Sequence, residues 1–152
     1  MAIVSHLLKL AALGALLAGC RAHHARLAGS VTVPEGTEFP PDVRLIYRAH
    51  DPKHPCAEWA ACVKAGAWAP LRRCNGKAED SIVVTTEDRR NRFEACATLA
   101  SKDYAVDLIA FVDLDHDGTL DPGERYGAWT GNPLTREREQ GSIEIAIDQA
   151  LP

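Results

Sequence analysis

Apolar and polar positions alternate with period two over most of the chain, the pattern of strands that bury one face. "ARLAGSVTVPEG" sets Leu27, Val31 and Val33 against polar or small neighbours and stops at Pro34 and Gly36. "DVRLIYRAH" sets Val43, Leu45 and Tyr47 against Arg44, Ile46 and Arg48. "SIVVTTED", residues 81–88, is rich in β-branched residues, which suit a pleated, half-buried surface. "RFEACATLA" alternates Phe93, Ala95, Ala97 and Leu99. "YAVDLIAFVD", residues 104–113, is apolar enough to be a central strand. "SIEIAIDQA" sets Ile143, Ile145 and Ile147 against Glu144, Ala146 and Asp148, the cleanest alternation in the chain. Six short strands with Pro and Gly turns between them predict a mainly β fold, an antiparallel β-sandwich of the transthyretin-like or immunoglobulin-like kind.

Residues 51–80 break this rhythm. "CAEWAACVKAGAW" is alanine-rich and predicts one short helix between Pro55 and Gly66, with Cys56, Trp59 and Cys62 or Val63 near one face. The segment reads as a Cys-rich insertion stapled to the sandwich. Trp59 and Trp68 are candidates for lining a binding site, although packing of the insertion is the simpler role for them.

The first residues are different in kind. "MAIVSHLLKLAALGALLAGC" carries Lys9 and then an apolar or small run from Leu10 to Gly19. Such a run is too short for a bilayer core, which needs about 20 residues, and it suits the apolar region of a signal peptide. It ends in Leu17-Ala18-Gly19-Cys20, which resembles the lipobox of bacterial lipoproteins. That resemblance implies a signal peptide over residues 1–19 and acylation of Cys20, hence attachment to a membrane through lipid. A tether follows over 20–25, and a sandwich domain over 26–152. Arg21 stands where an Asp tends to retain lipoproteins in the inner membrane, so the resemblance further implies the outer membrane, facing the periplasm. His23 and His24 in the tether are a solvated pair rather than a metal site.

Cys56, Cys62, Cys74 and Cys96 remain after Cys20, an even number in a chain read as exported, which predicts two disulfides. Three connectivities are open. Their separations of 6, 12 and 22 residues lack the paired short spacings of a zinc site.

The formal net charge of -4, without a basic face or a long block of like charge, argues against nucleic acid as a partner. No H-E-x-x-H or G-x-S-x-G motif occurs. Ser81, Ser101 and Ser142 have no nucleophile elbow around them, and Pro52 and Pro55 keep His50 and His54 off a common helical face. The chain is therefore not expected to be an enzyme, a periplasmic enzyme of unknown class being the alternative. A partner protein is not indicated by any motif.

The strongest chemical signal is "DLDHDGTLDPGE", residues 113–124. It matches the EF-hand calcium loop position by position. Asp113, Asp115 and Asp117 stand at ligand positions 1, 3 and 5, and Gly118 makes the turn at 6. The Thr119 carbonyl serves at 7, Asp121 at 9, and Glu124 with both oxygens at 12. Alternate side chains converge on one point only if the chain reverses in the middle, which Gly118 allows. The following "RYGAWTGNPLT" cannot continue a helix, because Gly127, Gly131 and Pro133 interrupt it. The loop is thus expected between strands, as a structural calcium site rather than a sensor. A single-loop sensor is the other reading, but sensors work by reorienting paired helices.

The strand order, with a G-x-V strand leading to a V-x-L strand and a strand bearing Phe93 and Leu99 leading into Tyr104-Ala105-Val106, resembles the transthyretin-like or carboxypeptidase-regulatory-like sandwich of exported bacterial proteins. The resemblance covers roughly residues 26–50 and 81–149. The Cys-rich insertion lies outside it.

Overall fold

The computed structural model describes residues 23–74, 83–84, 91–99, 103–136 and 142–152. The stretch read as a signal peptide, Cys20, most of the strand expected over 81–88 and the end of the insertion from residue 75 to 80 lie outside the described residues.

The fold is mainly β, with ten strands and one short helix among the described residues. β1 spans His23–Thr32, β2 Val43–Ala49, α1 Trp59–Ala65, β3 Ala69–Pro70 and β4 Val83–Val84. β5 spans Arg92–Leu99, β6 Ala105–Val112, β7 Arg125–Ala128, β8 Leu134–Thr135, β9 Ile143–Ala146 and β10 Gln149–Ala150. A small sheet runs β5-β1-β9 and packs on a large one ordered β10-β7-β6-β2-β3, with β4 pairing β2 and β8 pairing β6. β1 begins at His23, opposite Leu99 of β5, so the stretch read as a tether over 20–25 enters the sheet at that residue.

The small sheet buries one face only, so its strands alternate cleanly. Ala25, Leu27 and Val31 of β1, Phe93, Ala95, Ala97 and Leu99 of β5, and Ile143 and Ile145 of β9 point into the core. Val43 and Leu45 of β2, and Val106, Leu108, Ala110 and Val112 of β6, meet them from the large sheet.

β6 does not alternate, because seven of its eight residues, Val106 to Val112, are buried. Ile109 and Phe111 project from the far side of the large sheet into a second cluster with Ile46, Val63, Leu120, Tyr126 and Leu151. The insertion, the acidic loop and the C-terminal tail therefore form a third, partial layer. α1 is too short to be stable alone. It is held by the Cys56–Cys62 disulfide, by buried Val63, and by the Gly66 amide donating to the Cys62 carbonyl at 2.9 Å. Trp59 and Trp68 pack against the second cluster, which is the packing role expected of them.

Two crossings close the sandwich. On one side β3 pairs with β2, and Arg72 then bridges to Cys96 of β5, where the Cys74–Cys96 disulfide fixes it. On the other side the predicted 142–150 strand is split. β9 pairs with β1, and after Ile147 the chain moves across to pair β10 with β7. β9 runs parallel to β1, so the sandwich departs from the fully antiparallel expectation at this pair. A strand that arrives by crossing from the large sheet can take either direction, whereas strands joined by a tight hairpin must be antiparallel.

The second crossing works only because β7 carries glycine. A Cβ on Gly127 would stand 1.8 Å from the Ala146 carbonyl oxygen. Gly127→Ala forces two backbones apart and should cost about 1–3 kcal/mol, as overpacking does. Urea denaturation of the variant checks this, and wild-type stability would show that the crossing is loosely packed.

Candidate metal centre

Residues 113–124 connect β6 to its neighbour β7, so both ends of the loop are strands. Strand flanks match the expectation from "RYGAWTG". Two residues take positive φ inside the first half of the loop, His116 at 64° and Gly118 at 81°. Gly118 does so without cost, while His116 accepts the strain that reverses the chain between the aspartates.

The reversal gathers carboxylates. Asp113, Asp115 and Asp117 each present an oxygen, all within 4.8 Å of one another. Asp113 is fully buried and organises the turn. Its Oδ1 accepts from the Asp117 amide at 3.1 Å and its Oδ2 from the Gly118 amide at 2.9 Å. The Asp115 carboxylate accepts from the Asp117 amide at 3.2 Å, and the Asp117 carboxylate from the Thr119 amide at 2.6 Å.

The second half is arranged differently. Glu124 is 4% exposed, and its oxygens accept from the Leu114 amide at 2.6 Å and the Asp121 amide at 3.0 Å. It ties position 2 of the loop to position 9. The carboxylates of Asp121 and Glu124 lie outside the three-aspartate cluster, so the structure brings together three of the predicted side-chain ligands and sets these two apart. An ionised carboxylate has about four acceptor sites, so the two amide bonds leave Glu124 with capacity to spare. The donor set is all hard oxygen, which fits calcium or magnesium rather than a softer metal.

Sequence reasoning missed the basic partner. Arg44, on the outer face of β2, places Nε 2.5 Å from Asp113 Oδ2 and binds both oxygens of Asp42 at 3.2 Å. Asp42 also holds His116 Nδ1 at 2.6 Å, and this hydrogen bond raises the His116 pKa above its ordinary value. The alternation of "DVRLIYRAH" puts Arg44, Ile46 and Arg48 on the face opposite the main core, but it does not report the partner of Arg44.

A second buried ionic cluster lies further along the same face. Asp107 is 1% exposed and receives Arg48 Nε at 3.1 Å and His50 Nδ1 at 3.0 Å. Arg48 also covers the Trp68 ring at 5.3 Å and contacts Cys56 Sγ. Its sequence signature was Asp107, a carboxylate in the middle of the apolar run of "YAVDLIAFVD". Between the two ionic clusters lies a cavity of about 350 Å³, lined by Ile46, Val63, Trp68, Pro70, Thr119 and Leu120 among others.

No protein-family model, curated protein or solved structure matches this chain. Its function is therefore argued from these residues. Among the described residues no helix is long and apolar enough to cross a membrane.

The buried clusters carry a stability prediction. Asp107→Ala leaves Arg48 without its carboxylate under the insertion, and breaking such a pair costs about 3–5 kcal/mol. Chemical denaturation should show a loss of that size, and a cost below about 1 kcal/mol would place the pair in the range of exposed ones.

Proposed function

We propose that this protein is a lipid-anchored module of the cell envelope whose 113–124 loop binds calcium as a structural staple. The observation that carries the reading is the twelve-residue ligand spacing, folded so that Asp113, Asp115 and Asp117 offer oxygens within 4.8 Å. These residues would hold the ion, with Asp121, Glu124 and the Thr119 carbonyl as the further donors that the spacing assigns. Bound calcium supplies charge that offsets the mutual repulsion of the carboxylates.

The staple reading rests on what the loop joins. It links two adjacent strands, and Leu120 from its centre packs beside Val63, Phe111 and Leu151. Its exit is pinned to the C-terminus, where the Gly123 amide donates to the Leu151 carbonyl and the Leu151 amide to the Glu124 carbonyl. Holding the loop thus holds the insertion and the tail. A switch would need a pair of helices to reorient. The envelope location is supported by the lipobox-like Leu17-Ala18-Gly19-Cys20 and by two cysteine pairs at disulfide distance. The task is binding or structural rather than catalytic, and the outer membrane is the expected site of the anchor.

Melting in calcium and in chelator tests the staple. With calcium at ten times Kd the folded state gains about 1.4 kcal/mol. That corresponds to a rise of about 3–5 °C in Tm for a chain of this size. Far-UV circular dichroism below the melt should hardly change. Asp113→Ala/Asp117→Ala should lose the rise, and a wild type indifferent to calcium would end the reading. The anchor is tested separately, since Cys20→Ser should abolish labelling by a clickable fatty acid in cells. Persistent labelling of the variant refutes lipidation at Cys20.

A further inference from the structure

The carboxylate cluster is not a bare acidic patch, because a protein cation already stands on it. The Arg44 side chain is only 17% exposed, and its Nε lies 2.5 Å from Asp113, the first ligand of the loop, whose side chain is wholly buried. Its guanidinium also reaches toward the turn, since a Cβ on Gly118 would stand 3.7 Å from Nη1. Asp42 holds the same guanidinium with both oxygens, through Nε, which it shares with Asp113, and through Nη2. Asp42 is itself anchored through its backbone, whose carbonyl accepts the Asp113 amide at 3.0 Å.

We infer that Arg44 is a tethered counter-ion of the loop, which neutralises Asp113 when no metal is bound and opposes calcium at the same carboxylate. The inference rests on the calcium reading and adds its regulation. Two cations that share one buried carboxylate repel each other at short range, where screening by solvent is weak. Calcium must therefore either displace Arg44 from Asp113 or bind beside it. In both cases the coupling is unfavourable, and by linkage it acts equally in both directions. Asp42 makes displacement feasible, because the guanidinium keeps a bidentate carboxylate when it leaves Asp113. The consequence is a loop that stays folded without metal and binds calcium weakly, so that it fills only where calcium is abundant.

The test compares full-length wild type with Arg44→Met, which keeps the apolar stem, and with Arg44→Lys, which keeps the charge. Calcium binding is read by calorimetry and melting is followed with and without chelator. Arg44→Met should bind calcium about tenfold more tightly, within the roughly 5–150-fold range of ordinary site-to-site coupling. In chelator it should melt below wild type, and saturating calcium should narrow that gap. Arg44→Lys keeps the charge but not the two-point hold of Asp42, so its calcium affinity should fall between those of wild type and Arg44→Met. If Arg44→Met folds only in calcium, its affinity is read by back-titration with chelator, and that dependence itself supports the inference. Equal affinities for wild type and Arg44→Met would overturn the inference and leave calcium binding standing. Calcium binding by neither protein would overturn both, whereas binding by Arg44→Met alone would support the counter-ion role.

Discussion

The structure depends on β6 being covered on both faces. Its apolar run leaves no side that can face water, so the sandwich that covers Val106, Leu108, Ala110 and Val112 is only half of the solution. Ile109 and Phe111 need a second cover, and the chain supplies it from three separate places. Val63 comes from the insertion, Leu120 from the acidic loop and Leu151 from the tail. None of these segments has enough regular structure to stand alone. α1 has seven residues, and the loop and the tail have almost no secondary structure of their own. Each is fixed by a local bond instead: a disulfide at Cys56–Cys62, carboxylate-to-amide bonds within the loop, and the Glu124–Leu151 pairing.

The same constraint explains where the charges went. The outer face of β2 and β6 carries Arg44, Arg48 and Asp107 beside Ile46, Ile109 and Phe111, beneath the third layer. Buried charges must be paired, because the cost of removing an ion from water exceeds any single contact. Arg48 finds Asp107 on the adjacent strand, and Arg44 finds Asp42 and Asp113 at the edge. The acidic loop is thus joined to the sandwich through a buried ion pair at its first residue and through Leu120 at its eighth. Its conformation is specified by the fold around it as well as by its own turn residues.

Period-two alternation made the small sheet and β2 legible, because one face of each strand has a single environment. The central place of β6 was legible for the opposite reason, its lack of alternation. The helix was legible from alanine content between Pro55 and Gly66, and the strand exit from the loop followed from Gly127. Three things were not legible. The split of the last strand depends on a close approach between Gly127 and Ala146, which are distant in sequence. The choice of Cys56–Cys62 and Cys74–Cys96 among three connectivities depends on how residues 69–74 cross between sheets. The pairing of Arg44 with Asp113 joins residues 69 apart in sequence, and no local pattern reports it. Ligand spacing is a local property, so the candidate loop could be read from the sequence. The charge that balances it is a tertiary property, so it could not.

That difference bears on what an EF-hand-type loop does when strands replace helices. Between helices the loop is a hinge, and neutralising its carboxylates changes an angle. Between β6 and β7 there is no angle to change, because adjacent strands are already fixed by their ladder at Ile109–Ala128, Ala110–Gly127 and Phe111–Tyr126. Any free energy delivered to this loop goes into the order of the loop and of what rests on it. Here that means Leu120, the tail at Leu151 and the wall of the cavity formed with Trp68 and Pro70. Stabilisation through a bound ion grows only logarithmically with its concentration. In the proposed staple, stability therefore rises gently with calcium, a response that suits a part holding its shape.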